Sequence, residues 1–124
     1  MTPDEAHRIL ESGFAPWIKD LRPQITAISA EGCTMVIPVQ AAIKRMGGIA
    51  DTSMVFACFG HLGTVEPVGT VTLDTQFMRP ASGDRIRAEA VVTRAGKTMI
   101  FTRVRLIEEP SGKDVAHATA TFAR

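Results

Sequence analysis

The chain is poor in the residues that mark most specialised chemistries. It has two cysteines in 124 residues, Cys33 and Cys58, both inside apolar segments and without a Cys-x-x-Cys spacing. That excludes a disulfide scaffold and reads as two reduced, buried thiols. His7, His61 and His117 are scattered, with no acid or cysteine completing a ligand set, so no metal is expected. Lys plus Arg total 14 against 13 for Asp plus Glu, which leaves no bulk field to recruit nucleic acid or anionic lipid. No apolar run reaches the ~20 residues a bilayer requires. The N-terminus is acidic and amphipathic rather than basic and then apolar, so no secretory signal is expected and a cytoplasmic location follows. Repeats, low-complexity runs and linkers are absent. The length fits one domain over residues 1–124, with residues 1–20 as an N-terminal helix and cover segment.

What the chain does have is an apolar rod at residues 46–62. A glycine pair, Gly47-Gly48, opens it and Asp51 stands near its start. Ile49, Met54, Val55, Phe56, Ala57, Cys58, Phe59 and Leu62 then cover nearly every helical face, so the rod is not an amphipathic surface helix. A helix that is apolar all round and too short to span a membrane is one that its own domain wraps.

The remaining segments supply the wrapping. Thr2-Pro3-Asp4-Glu5 has the signature of a capped helix start, with Gly13 as its end. Phe14, Pro16 and Trp17 can cover one end of a core or pocket. Ile25 to Val39 alternates with period two around a Glu31-Gly32 turn and reads as a hairpin, with Pro38 at an edge or strand end. Gln40 to Arg45 is an irregular polar bridge. After the rod come four strands: Thr70–Arg79, Arg85–Ala95, Thr98–Glu109 and Asp114–Arg124. In the first, Val71, Leu73, Thr75 and Phe77 alternate against Thr70, Thr72, Asp74 and Gln76. Six strands and one apolar helix imply an α+β fold, a strongly curved antiparallel sheet wrapped around the helix. Such a sheet has edges to protect, and pairing two copies edge to edge would protect them, so a homodimer is expected.

Several segments together resemble the hotdog-fold acyl-CoA thioesterases of the phenylacetate-pathway type, related to the 4-hydroxybenzoyl-CoA thioesterases. These are Ala50-Asp51-Thr52-Ser53-Met54, Thr70-Val71, Phe77-Met78-Arg79-Pro80-Ala81, Gly83-Asp84, Gly96-Lys97-Thr98 and Ala116-His117-Ala118-Thr119. The likeness covers roughly residues 25–124, and its order is more specific than any one piece. It implies a hotdog fold and hydrolysis of a small or aryl acyl-CoA thioester at a dimer interface, in a homodimer or a dimer of dimers (a homotetramer). Coenzyme A enters only as part of the substrate, and no cofactor, nucleic acid or membrane is involved. It also implies catalytic roles for Asp51 as general base or nucleophile and for a Gly48 backbone N–H that polarises the carbonyl. Thr70, on the neighbouring subunit's strand, would orient the water. The coenzyme A tail would pass Arg79, Gly96, Lys97 and Thr98. Met54 reads either as core, with the other methionines, or as lining an acyl tunnel with Met46. Relatives carry several more residues between the glycine turn and the Ala-Asp pair, usually with a His, Asn or Gln. Here only Ile49 and Ala50 intervene, which shortens the helix by about two turns and leaves no polar helper. Either the site is altered or a loop is absent from the sequence.

The same residues have plainer readings. Asp before Thr-Ser-Met is a good helix cap, Gly47-Gly48 is a plain turn, Thr70 is a strand former, and His61 near the helix end complements the dipole. Cations at Arg79 and Lys97 suit phosphates or open solvent equally. Beside the thioesterase stand a non-catalytic hotdog protein binding acyl-CoA or a protein partner and, more remotely, a hydratase. For the last, His61 lies two to three turns from Asp51, too far to share a substrate proton.

Overall fold

The computed structural model describes all 124 residues. Helix α1 (Pro3–Gly13) starts as its sequence requires: the Thr2 Oγ1 accepts from the Glu5 N–H at 3.2 Å and Pro3 opens the first turn. Its Ala6 and Leu10 face the core, and the His7 Nε2 accepts from the Ile25 N–H at 3.0 Å, fastening α1 to the sheet edge. Helix α2 (Pro16–Asp20) buries Ile18 and carries Trp17. Between them, Phe14 stacks on Phe56 of the central helix, with ring centroids 5.1 Å apart. Such a pair adds about 0.5–1.5 kcal/mol beyond the area it buries.

The hairpin forms as β1 (Gln24–Ser29) and β2 (Gly32–Pro38), with Pro38 at the strand end. The bridge after it is partly ordered, because Val39–Ala42 makes one helical turn, α3. Helix α4 (Met46–Leu62) follows without interruption, over the residues its apolar pattern marks. Gly63 ends it with φ of +74°, a left-handed cap that glycine adopts without steric cost. Ile49, Ala50, Met54, Phe56, Ala57 and Cys58 are wholly buried, on several helical faces at once.

Strands β3 (Gly69–Phe77), β4 (Arg85–Ala95), β5 (Met99–Glu109) and β6 (Asp114–Ala123) complete one six-stranded antiparallel sheet of order β1-β2-β4-β5-β6-β3. The sheet curves around α4, as in the hotdog fold. Ile86, Ala88 and Ala90 of β4, Ile100, Val104 and Leu106 of β5, and Ala116, Ala118, Ala120 and Phe122 of β6 point inward. Arginines and acids cover the outer face: Arg87 bridges Glu109 and Glu89 at 2.6 and 3.0 Å, and Arg105 bridges Asp114 at 2.8 Å.

One strand departs from its alternation. β3 pairs only with β6 and has no buried residue on either face. Val71, Leu73 and Phe77 are 54%, 41% and 65% exposed. A free strand edge carrying apolar side chains is an unusual surface for a protein to leave open to water. No helix is long and apolar enough to cross a membrane.

Candidate active site

Strict two-residue alternation would put Thr70 on the outer face with Thr72, Asp74 and Gln76. The structure puts it inside, because the pairing of β3 with β6 shifts register between Thr70 and Thr72. A bulge adds one residue and flips the faces beyond it. Thr70 therefore pairs with buried Phe122, on the inner side shared by Leu73, Thr75 and Phe77. From there its Oγ1 donates a hydrogen bond of 2.9 Å to Oδ1 of Asp51 on α4. The contact lies within one chain, whereas the resemblance implies that Thr70 serves a neighbouring subunit. Donation to Oδ1 leaves Oδ2 free, and the hydroxyl lone pairs remain able to accept from water.

The glycine pair is not a turn. Gly47 and Gly48 lie inside the first turn of α4, where Arg45 is the N-cap and makes no side-chain capping bond, and neither glycine has a positive φ. Asp51 is thus in the second turn and does not cap the helix. The first intrahelical bond runs from the Ile49 N–H to the Arg45 carbonyl at 2.9 Å. The N–H groups of Met46, Gly47 and Gly48 have no acceptor in the chain, as the start of a helix dictates. A Cβ at Gly48 would overlap the Trp17 ring, whereas one at Gly47 would meet nothing within 4 Å. Because Cα–Cβ bonds tilt toward a helix's N-terminus, the Asp51 side chain leans over this bare glycine turn.

A cleft of about 1010 Å³ opens at the same helix end. Ile43, Lys44, Arg45, Met46, Gly47 and Gly48 form one wall, and Phe77, Met78, Arg79, Pro80 and Ala81 the other. Its walls combine apolar surface with three cations, none of which is in a salt bridge. Neither Asp51 nor Thr70 is in its walls: Asp51 stands one helical turn beyond Gly48, and Thr70 lies at the opposite end of β3 from Phe77. Burial pushes both thiols up to about 12, and the Asp51 charge adds to the effect at Cys58. Neither cysteine is therefore a thiolate nucleophile.

The model of the thioesterase superfamily matches residues 46–114, more than half of the chain. The chain belongs to that superfamily. No curated protein matches the sequence. Among solved structures, a candidate thioesterase from a Silicibacter species is 26% identical, with a TM-score of 0.87 over 99% of this chain and 91% of its own. A Pseudomonas aeruginosa protein is 22% identical, with a TM-score of 0.86 over 98% of each chain. A thioesterase from Haemophilus influenzae is 17% identical, with a TM-score of 0.82 over 99% of this chain and 90% of its own. The last two likenesses are of fold.

Within this thioesterase-superfamily chain, the residues marked in the sequence fall into separate places. Asp51, Thr70 and the Gly48 N–H gather around the start of α4. Met54 does not join them: it is wholly buried and its Sδ accepts from the Thr102 Oγ1 at 3.1 Å, so it is core and lines no acyl tunnel within the chain. Arg79 and the Gly96-Lys97-Thr98 turn are also not one patch. Arg79 follows the Phe77 end of β3, whereas the turn sits with Met99, Ala123 and Gly69 at the other end. Roughly 25 Å of strand separates them. The turn's carbonyls are moreover in use, because Arg124 donates to the Gly96 and Thr98 oxygens, both at 2.9 Å. On one chain the four residues therefore fall at two poles of the sheet. The sequence reading overlooked Lys44 and Arg45 as cleft residues, although two cations directly before a glycine pair were the available signal.

Proposed function

We propose that this protein is an acyl-CoA thioester hydrolase in which Asp51 is the general base. The observation that carries the reading is the Thr70–Asp51 hydrogen bond, set one turn from three unpaired helix N–H groups and a cationic, apolar cleft. Water held between the Thr70 hydroxyl and Oδ2 attacks the thioester carbon while Asp51 takes its proton. The oxyanion accepts from the free N–H groups at the start of α4, Gly48 among them, where the helix dipole also favours negative charge. The carbon–sulfur bond then breaks and the proton passes to the departing thiolate, giving a carboxylic acid and free coenzyme A. Lys44, Arg45 and Arg79 suit the phosphates of the substrate. The open β3 edge is the surface on which a second copy pairs, covering Val71, Leu73 and Phe77 and closing the cleft.

The test is a hydrolysis screen over short, long and aryl acyl-CoA thioesters, with Asp51→Asn beside the parent. Turnover by the parent should fall at least about 100-fold in the variant with unchanged circular dichroism. Undiminished turnover in folded Asp51→Asn removes the assignment. Coenzyme A thioester binding without hydrolysis by the parent would favour the non-catalytic alternative.

A further inference from the structure

We propose that Arg124 is a positioning residue: its guanidinium clamps the loop ahead of β3 to the turn between β4 and β5 and so holds Thr70 against Asp51. The proposal rests on the hydrolase reading above, in which Thr70 and Asp51 are the working pair, and adds what keeps them together. Three donors of the guanidinium are in use. Nε and Nη2 donate to the two carboxylate oxygens of Glu66 at 2.6 and 3.0 Å, and Nη1 donates to the Gly96 carbonyl at 2.9 Å. The backbone N–H of the same residue donates to the Thr98 carbonyl at 2.9 Å. One residue thus ties together the end of β6, the 96–98 turn and the 64–68 loop.

Thr70 needs such a tie. It stands four residues beyond Glu66, at the bulge, and the ladder that holds it begins only at the Gly69–Ala123 pair, next to Arg124. β3 is an edge strand with no buried residue, so packing within the chain does not place it. Its far end is fastened by the Met78 N–H, which donates to the Val115 carbonyl at 2.9 Å. At the near end, Glu66 is the sole residue of the 64–68 loop with a side-chain hydrogen bond, and Val68 alone packs on the core. Strand ends held by few contacts open locally, and an opening here would draw the Thr70 hydroxyl away from Asp51. A lone exposed ion pair would hold little, whereas a bidentate guanidinium that also bonds a carbonyl fixes direction as well as distance. Hydrogen bonds from Arg124 keep the Glu66 carboxyl below the ordinary carboxylate range, so the pair is charged at neutral pH.

Two measurements test this. The first is amide hydrogen exchange, read by mass spectrometry, in the parent, Arg124→Ala and Glu66→Gln. Exchange over residues 69–73 should quicken about fivefold in both variants while β1 and β2 stay as in the parent, as loss of a local restraint gives. Unchanged exchange there overturns the proposal. The second is kcat and KM for butyryl-, benzoyl- and decanoyl-CoA with Arg124→Ala, Thr70→Val and the double variant. Arg124→Ala should lower kcat about tenfold with KM within about twofold of the parent, as misplacement of a catalytic group does. In the Thr70→Val background the same substitution should lower kcat no further, because Arg124 acts through Thr70. An equal loss in both backgrounds, or none in either, overturns the positioning role and leaves Asp51 as it stands. If the parent hydrolyses none of the three thioesters, the hydrolase reading falls, and exchange at 69–73 alone decides whether Arg124 holds Thr70.

Discussion

The carboxylates of this chain divide by what surrounds them. Asp51 has one hydrogen bond, from Thr70, and one free oxygen. Glu108 is fully engaged: its Oε2 accepts from the Ser82 N–H at 2.9 Å and the Ser82 hydroxyl at 3.0 Å, and its Oε1 from the Ser111 hydroxyl at 2.9 Å. Those bonds, the Ser82 N–H first, with the Arg79 charge behind them, hold its pKa below the ordinary value of 4.5. A carboxylate depressed by folding stabilises the protein at pH above its unfolded value, and that contribution is lost as pH falls through the folded value. Glu108 joins the 80–84 and 110–113 turns, so this loss loosens the pole of the sheet that carries Arg79. Melting curves from roughly pH 6 to pH 3 for the parent and Glu108→Gln test this. The variant should melt lower near neutral pH, and the gap should narrow below about 4.5. A gap independent of pH would contradict it.

At the scale of elements, the packing of α4 against the hairpin leaves no room for a side chain at Gly60. A Cβ on Gly60 would lie 2.5 Å from the Ser29 carbonyl oxygen and 2.9 Å from the Ile28 Cγ1. Gly60→Ala should therefore cost about 1–3 kcal/mol through overpacking. Gly47→Ala, which meets nothing, should gain about 0.5–1 kcal/mol as a helical glycine replaced by alanine. Urea midpoints at constant m-value measure both, and equal effects at the two positions would contradict the packing described. The elements themselves were legible in the sequence wherever local pattern decides them. The all-round apolar run of α4 marked its ends, and alternation marked the inner faces of β4, β5 and β6. What local pattern could not show was the bulge at Thr70, because a register shift depends on the partner strand. It also could not show that the Gly47-Gly48 pair continues a helix rather than turning. The Arg79 and Gly96-Lys97-Thr98 separation was hidden for the same reason, since only the pairing of β6 with β3 and with β5 fixes which ends meet.

At the scale of the whole molecule, the sheet has one apolar free edge at β3, beside the cleft, and the site borders that edge. A second copy on β3 would bring its own residues to the cleft while leaving the Asp51–Thr70 pair inside each chain. The bond between helix and bulge is thus the part of the site that dimerisation does not create. Mixed dimers of Asp51→Asn and Thr70→Val, carried on different tags and purified through both, measure this directly by thioester hydrolysis. Because each chain then has a broken pair, activity no higher than that of the two variants alone is expected. Recovery to about half the parent's rate per dimer, as one intact site of two would give, would show that the pair is built across the subunits and would contradict the single-chain site.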